Sequence, residues 1–159
     1  RQIKADDEID TVFTASYSTA YTFANPHDFD FDDPAIDGFT ALWRGWREAG
    51  REVVGFADVP RTNGDVVPTC LTEADDAMQC AVVRAKALPK NRAITEALSA
   101  EGDAVTALDL TDQFCDERWC YPVVGSLIVY RDYSHLSKEY ALALAPFVER
   151  QLPKRVISE

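Results

Sequence analysis

Basic charge is scarce in this sequence. Sixteen Lys and Arg stand against 27 Asp and Glu, for a formal charge of −11. Nucleic-acid binding needs a surplus of Lys and Arg to neutralise phosphates, so that class of function is excluded. An anionic membrane surface is disfavoured for the same reason. Long apolar runs are missing too. The longest candidate, residues 141–148, is interrupted by Pro146 and falls far short of the roughly 20 residues that a membrane helix requires. No glycine-rich phosphate loop is present, which argues against a nucleotide, and no cofactor is expected. There are no internal repeats and no low-complexity tracts. The sequence opens at Arg1, with neither an initiator Met nor a signal-like apolar stretch, and is expected to be a piece of something longer.

What is present describes a globular chain. Its 159 residues are 47% apolar and 27% charged, ordinary values that set disorder aside and fit one domain over residues 1–159. Residues 9–16 (IDTVFTAS) are rich in β-branched and aromatic side chains and predict a strand. After a polar, acidic loop, Asp33-Pro34 is a good helix start, with a capping carboxylate followed by a residue that wastes no donor. Ile36, Phe39, Leu42, Trp43 and Trp46 then recur at helical spacing up to Gly50. Residues 51–59 predict a second strand, 83–100 a helix that restarts near Pro89, 103–110 a third strand and 127–130 a short fourth. A last helix is expected over 137–152. Strands alternating with helices imply crossover connections and a mainly parallel sheet covered by helices, an α/β fold.

The four cysteines fall into two close pairs, Cys70 with Cys80 and Cys115 with Cys120. Short loops close most easily, so two local disulfides are the first expectation, ahead of zinc and of free buried thiols. Zinc lacks support because no C-x-x-C or suitably spaced histidine accompanies them. Disulfides would place the domain outside the cytoplasm.

Three other patterns bear on chemistry. In YRDYSHLS, Asp132 and His135 sit where a strand gives way to a helix. A carboxylate that accepts from a histidine Nδ1–H fixes the tautomer and stabilises the imidazolium formed when Nε2 takes a proton. The plainer alternative is a helix-capping Asp132 beside a solvated His135. In HDFDFDDPAIDG, Asp28, Asp30 and Asp32 alternate as in a calcium loop, but Asp33 stands where glycine is required and Phe39 where glutamate is. No metal is expected there. Trp43 and Trp46 share a helical face and are expected in the core. Trp119, between two cysteines, is the better candidate for an exposed aromatic that stacks on sugar.

The succession IDTVFTAS, a helix ending in glycine, REVVGFADVP, P-T-C with a later Cys, LDLTDQFCDERWC and IVYRDYSHLS resembles a known family. It is similar to the SGNH (GDSL-like) domain fused to bacterial membrane acyltransferases of the acyltransferase-three family. The closing motif of that family reads tyrosine, aspartate, two variable residues, then histidine-leucine-serine. Here it is Tyr130, Asp132, Tyr133, Ser134, His135, Leu136 and Ser137, with Arg131 between tyrosine and aspartate. Cys115 and Cys120 correspond to the cysteine pair upstream of it.

The resemblance implies a three-layer, flavodoxin-like sheet with helices on both faces, and makes Asp132 and His135 the acid and base of a Ser-His-Asp triad. The serine of the family lies in a G-D-S motif on its first strand. This sequence has neither G-D-S nor G-x-S-x-G, and Gly125-Ser126 reads as a turn. The serine is therefore expected outside these residues. Its strand would lie inside the sheet, and its absence would leave a slot to be filled by a missing N-terminal segment or by a second copy of the chain. Oxyanion-hole residues of the family follow the strand that matches residues 9–16. Ser16 or Ser18 falls there, and Asn25 comes late. The implied function is an extracytoplasmic, membrane-tethered O-acyltransferase or esterase that acts on cell-envelope carbohydrate. Its partners would be an acyl donor, a carbohydrate acceptor and a membrane acyltransferase domain upstream. The alternative is an inactive SGNH-fold module that binds a glycan or a partner.

Overall fold

The computed structural model describes residues 2–17, 34–89 and 92–157. In chain order its elements begin with α1 (Gln2–Ala5), β1 (Thr11–Thr14), α2 (Pro34–Glu48), β2 (Glu52–Phe56) and α3 (Val67–Glu73). There follow β3 (Val82–Val83), α4 (Arg84–Ala87), α5 (Ala93–Glu101), β4 (Thr106–Leu108) and β5 (Trp119–Cys120). The last are β6 (Val123–Val124), β7 (Leu127–Ile128), α6 (Lys138–Ala143), α7 (Ala145–Gln151) and α8 (Lys154–Ile157). These elements form two compact units. The first takes Arg1–Asp58, Lys90–Asp109 and Leu152–Glu159; the second takes Val59–Pro89 and Leu110–Gln151.

The first unit carries a parallel sheet in the order β1-β2-β4, so the fold is α/β. β1 pairs with β2 from Thr11↔Glu52 to Thr14↔Gly55, and β2 with β4 from Val54↔Thr106 to Phe56↔Leu108. Side chains alternate between the two faces of a strand. Val12 and Val53 therefore share one face, and they cluster there with Trp43 and Trp46 of α2 and with Ile94, Ala97 and Leu98 of α5. α5 lies close over β2 because residue 55 is glycine: a Cβ there would sit 2.6 Å from Leu98 Cδ2. The helical spacing of Trp43 and Trp46 thus reports core packing, while Leu42, on the same sequence pattern, is exposed. The expected empty slot inside the sheet is not found among the described residues: β1 pairs directly with β2 and β2 with β4, so any further strand can only join at an edge. Among the described residues β1 has a neighbour on one side only, and Phe13 on that strand is half exposed.

The second unit is built from short pieces stapled by two disulfides, Cys70–Cys80 and Cys115–Cys120. β3 and β5 pair antiparallel, Val82 opposite Cys120 and Val83 opposite Trp119. Its core gathers Phe114, Val129, Tyr130, Tyr140 and Leu144, with Phe114 packed edge-on to Tyr140 at 5.4 Å between ring centroids.

Two local expectations are corrected here. The fourth strand does not extend the parallel sheet; β7 pairs antiparallel with β6 through a two-residue turn at Gly125-Ser126. Gly125 adopts φ 60°, which a two-residue hairpin with glycine at its first position requires. The last helix is split into α6 and α7. Pro146 has no N–H for the carbonyl four residues back, and the ladder instead tightens around Leu144, whose carbonyl accepts from Phe147 N at 2.9 Å.

Candidate active site

The segment from Val129 to Ser137 folds back on itself in the second unit. Arg131 N donates to the His135 carbonyl at 2.9 Å, and Ser137 N to the Val129 carbonyl at 2.8 Å. Ser137 then caps α6, its Oγ accepting from Tyr140 N at 3.2 Å and donating to the Ile128 carbonyl at 2.5 Å. Tyr130 is buried and donates its hydroxyl to the Pro60 carbonyl at 2.7 Å. Burial pushes that hydroxyl well above the usual phenol range, so it stays protonated and serves as an anchor. The ends of the loop are therefore fixed, and Asp132 to His135 occupy its tip.

At the tip Asp132 does two jobs. Its Oδ1 accepts from the backbone N–H of Ser134 at 2.8 Å and of His135 at 2.7 Å. Its Oδ2 accepts from His135 Nδ1 at 2.8 Å, with Arg131 Nε at 3.6 Å from the same oxygen. An ionised carboxylate has no proton to give, so Nδ1 carries a hydrogen, and in the neutral imidazole it is Nε2 that presents a lone pair. Among the described residues Nε2 has no hydrogen-bond partner, and the imidazole is 63% exposed against 30% for Asp132. The capping explanation and the acid–base explanation are thus not exclusive: one oxygen organises the backbone while the other orients the ring.

The carboxyl of Asp132 is lowered from its ordinary 3.8 to about 2. The His135 backbone N–H is the largest cause and the Ser134 N–H the next, with the imidazole contributing less. A carboxyl depressed on folding stabilises the fold fully above its unfolded value and loses that contribution as pH falls through the folded value. The Asp132-dependent part of stability is therefore expected to be intact above pH 4 and lost towards pH 2. Carboxyl-carbon NMR during an acid titration checks this; a midpoint at the ordinary aspartate value would contradict the described hydrogen bonds.

The remaining residues singled out by sequence fall elsewhere. Ser16 follows β1 in the sheet-bearing unit and is partly buried, whereas Ser18, Asn25, His27 and the acidic loop from Asp28 to Asp33 lie outside the described residues. Among the described residues, no group of three or more His, Cys, Asp or Glu could hold a metal ion. Trp119 is partly buried in β5, its backbone N–H held by Asp116 at 2.6 Å. The Arg118 guanidinium lies 5.7 Å from its ring centroid.

The profile of the SGNH domain that occurs fused to AT3 domains matches residues 1–150. The chain belongs to the SGNH family. No curated protein and no solved structure matches it. The family match spans both compact units of this SGNH domain, and fusion to AT3 domains marks it as an acyltransferase- or esterase-like module. Two disulfides fit an oxidising compartment. No described helix is long and apolar enough to cross a membrane.

Sequence reasoning missed the contacts that hold the tip from outside. The carbonyls of Asp132 and Tyr133 are gripped by the segment 62–67, through Val67 N at 3.4 Å and Thr62 Oγ1 at 2.5 Å. A threonine that bonds to main chain across 71 residues leaves no signature in residue spacing.

Proposed function

We propose that residues 1–159 are the larger part of an extracytoplasmic SGNH domain that transfers or hydrolyses O-acyl groups on cell-envelope carbohydrate. The observation that carries this reading is the 2.8 Å Asp132–His135 hydrogen bond, with Nε2 unpartnered among the described residues. In the proposed reaction His135 Nε2 takes the proton of a serine hydroxyl as the serine oxygen bonds to the acyl carbon. The imidazolium then returns that proton to the departing donor group, leaving an acyl-enzyme. A sugar hydroxyl or water next attacks the same carbon, its proton passes to Nε2, and the serine regains a proton as the acyl group leaves. Asp132 remains ionised throughout and stabilises the imidazolium.

In this reading the serine lies on a G-D-S strand supplied by a segment outside this sequence, because residues 1–159, and therefore any second copy of them, lack the motif. Such a strand would pair at an edge of the described sheet, where β1 and β4 each have a neighbour on one side only among the described residues. Ser16 or Ser18 is the proposed source of an oxyanion-hole donor. An AT3 membrane domain in the full protein would tether the domain and deliver the acyl group. The lack of G-D-S in these residues favours one second reading, an SGNH module that binds a glycan or partner without chemistry.

A fluorophosphonate that traps activated serines separates the two. Full-length protein is expected to be modified at one serine, and His135→Ala to slow that modification at least 100-fold. A full-length protein with no modified serine, and with glycan binding intact, would establish the binding module instead.

A further inference from the structure

We propose that Thr62 is a positioning residue for the Asp132–His135 pair, and this rests on the reading of His135 as the base. The geometry lies in a single peptide plane. The Tyr133–Ser134 peptide is trans, as every described peptide is, so its C=O and N–H point in opposite directions from one rigid unit. The N–H end, on Ser134, donates to Asp132 Oδ1 at 2.8 Å. The C=O end, on Tyr133, accepts from Thr62 Oγ1 at 2.5 Å. Thr62 therefore grips the outer end of the plane whose inner end grips the carboxylate.

The hydroxyl is itself fixed. Its proton is committed to the Tyr133 carbonyl, while its oxygen accepts from Gly64 N at 3.2 Å, so both its roles are engaged and its rotation is set. A second contact from the same segment works in parallel. Val67 N, at the start of α3, donates to the Asp132 carbonyl at 3.4 Å, holding the preceding peptide plane. Tilting the Tyr133–Ser134 plane would draw the Ser134 N–H off Oδ1, leave that oxygen to the His135 N–H alone, loosen the carboxylate and lengthen the Oδ2 contact to Nδ1. The imidazole is largely exposed, so no surrounding core would hold it in place of Asp132. Thr62 touches neither the ring nor any reacting atom, and its effect passes through this plane.

The test uses full-length protein labelled with ¹³C at aspartate carboxyls and ¹⁵N in histidine rings. Thr62→Val keeps the shape and removes the hydroxyl, Thr62→Ser keeps the hydroxyl, and Thr62→Ala serves if the valine variant misfolds. With Val or Ala, the Asp132 midpoint is expected to rise from about 2 towards 3.8. The His135 ring nitrogens should change from a single Nδ1–H form to a mixture of tautomers. kcat should fall roughly 10- to 100-fold with KM unchanged, the scale expected when a reacting group is misplaced by about an ångström. Thr62→Ser should restore all three. If Asp132 titration and His135 tautomer stay as in the parent when the hydroxyl is gone, the proposal is overturned. If both move while His135→Ala leaves turnover intact, the positioning holds and the assignment of His135 as base fails.

Discussion

Full-length protein carrying His135→Ala is expected to turn over acyl substrates about 10⁴-fold more slowly than the parent, or worse. The magnitude follows from the way triad members act together: losing either the nucleophile or its base removes most of what the set contributes. Here the loss would be direct, because Nε2 is the position left open once Asp132 has fixed Nδ1. Asp132→Asn is expected to be almost as severe, by a different route. The amide oxygen could still accept the N–H groups of Ser134 and His135, so the loop would keep its shape. The amide nitrogen, however, would donate to Nδ1 and move the ring proton to Nε2, where it blocks proton transfer. Steady-state rates with an acylated sugar, taken alongside circular dichroism to show that both variants are folded, make the measurement. More than a tenth of parental activity in His135→Ala would remove the imidazole from the mechanism.

The largest effect on stability is expected at Trp43. Its side chain is fully buried in the cluster formed by Val12, Val53, Ile94 and Leu98, with the ring of Phe39 at 5.5 Å. Truncating a buried tryptophan to alanine costs about 3–5 kcal/mol, from lost transfer energy and from the cavity left behind. Domain stability amounts to only about 5–15 kcal/mol, so Trp43→Ala should bring the sheet-bearing unit near its threshold. Trp43→Phe should cost much less. It retains most of the apolar volume and deletes an indole N–H that is buried without a partner among the described residues, a group whose burial is itself unfavourable. Urea unfolding followed by far-UV circular dichroism distinguishes the two; a change below about 1 kcal/mol for the alanine variant would mean that this cluster does not hold the unit together.

The parts of this structure legible in its sequence are those whose determinants are local. α2 announces itself through Ile36, Phe39, Trp43 and Trp46, because a single helix face has to meet the sheet. The three parallel strands are visible as apolar runs. The order β1-β2-β4 depends on pairing between distant segments and is not written in any one of them. β7 misleads for a physical reason: two residues, Leu127 and Ile128, cannot declare whether their partner is parallel or antiparallel, and the glycine turn before them decides it. At the candidate site, the Asp132–His135 hydrogen bond is legible since all its partners lie within four residues. The grip of Thr62 on the Tyr133 carbonyl is not, because main-chain acceptors are the same at every position.

The chain crosses between its two compact units four times, at Asp58–Val59, Pro89–Lys90, Asp109–Leu110 and Gln151–Leu152. Neither unit can therefore be cut out as a continuous piece, and a gene rearrangement that inherits one must inherit both. The same threading imposes a schedule on biosynthesis. As the polypeptide emerges from its amino end, the partners Cys70 and Cys80 are both available before β4 (Thr106–Leu108) has appeared to complete the sheet. Oxidation of the second unit can thus begin while the first still lacks its third strand, and the cross-linked loop then waits for strand pairing rather than the reverse.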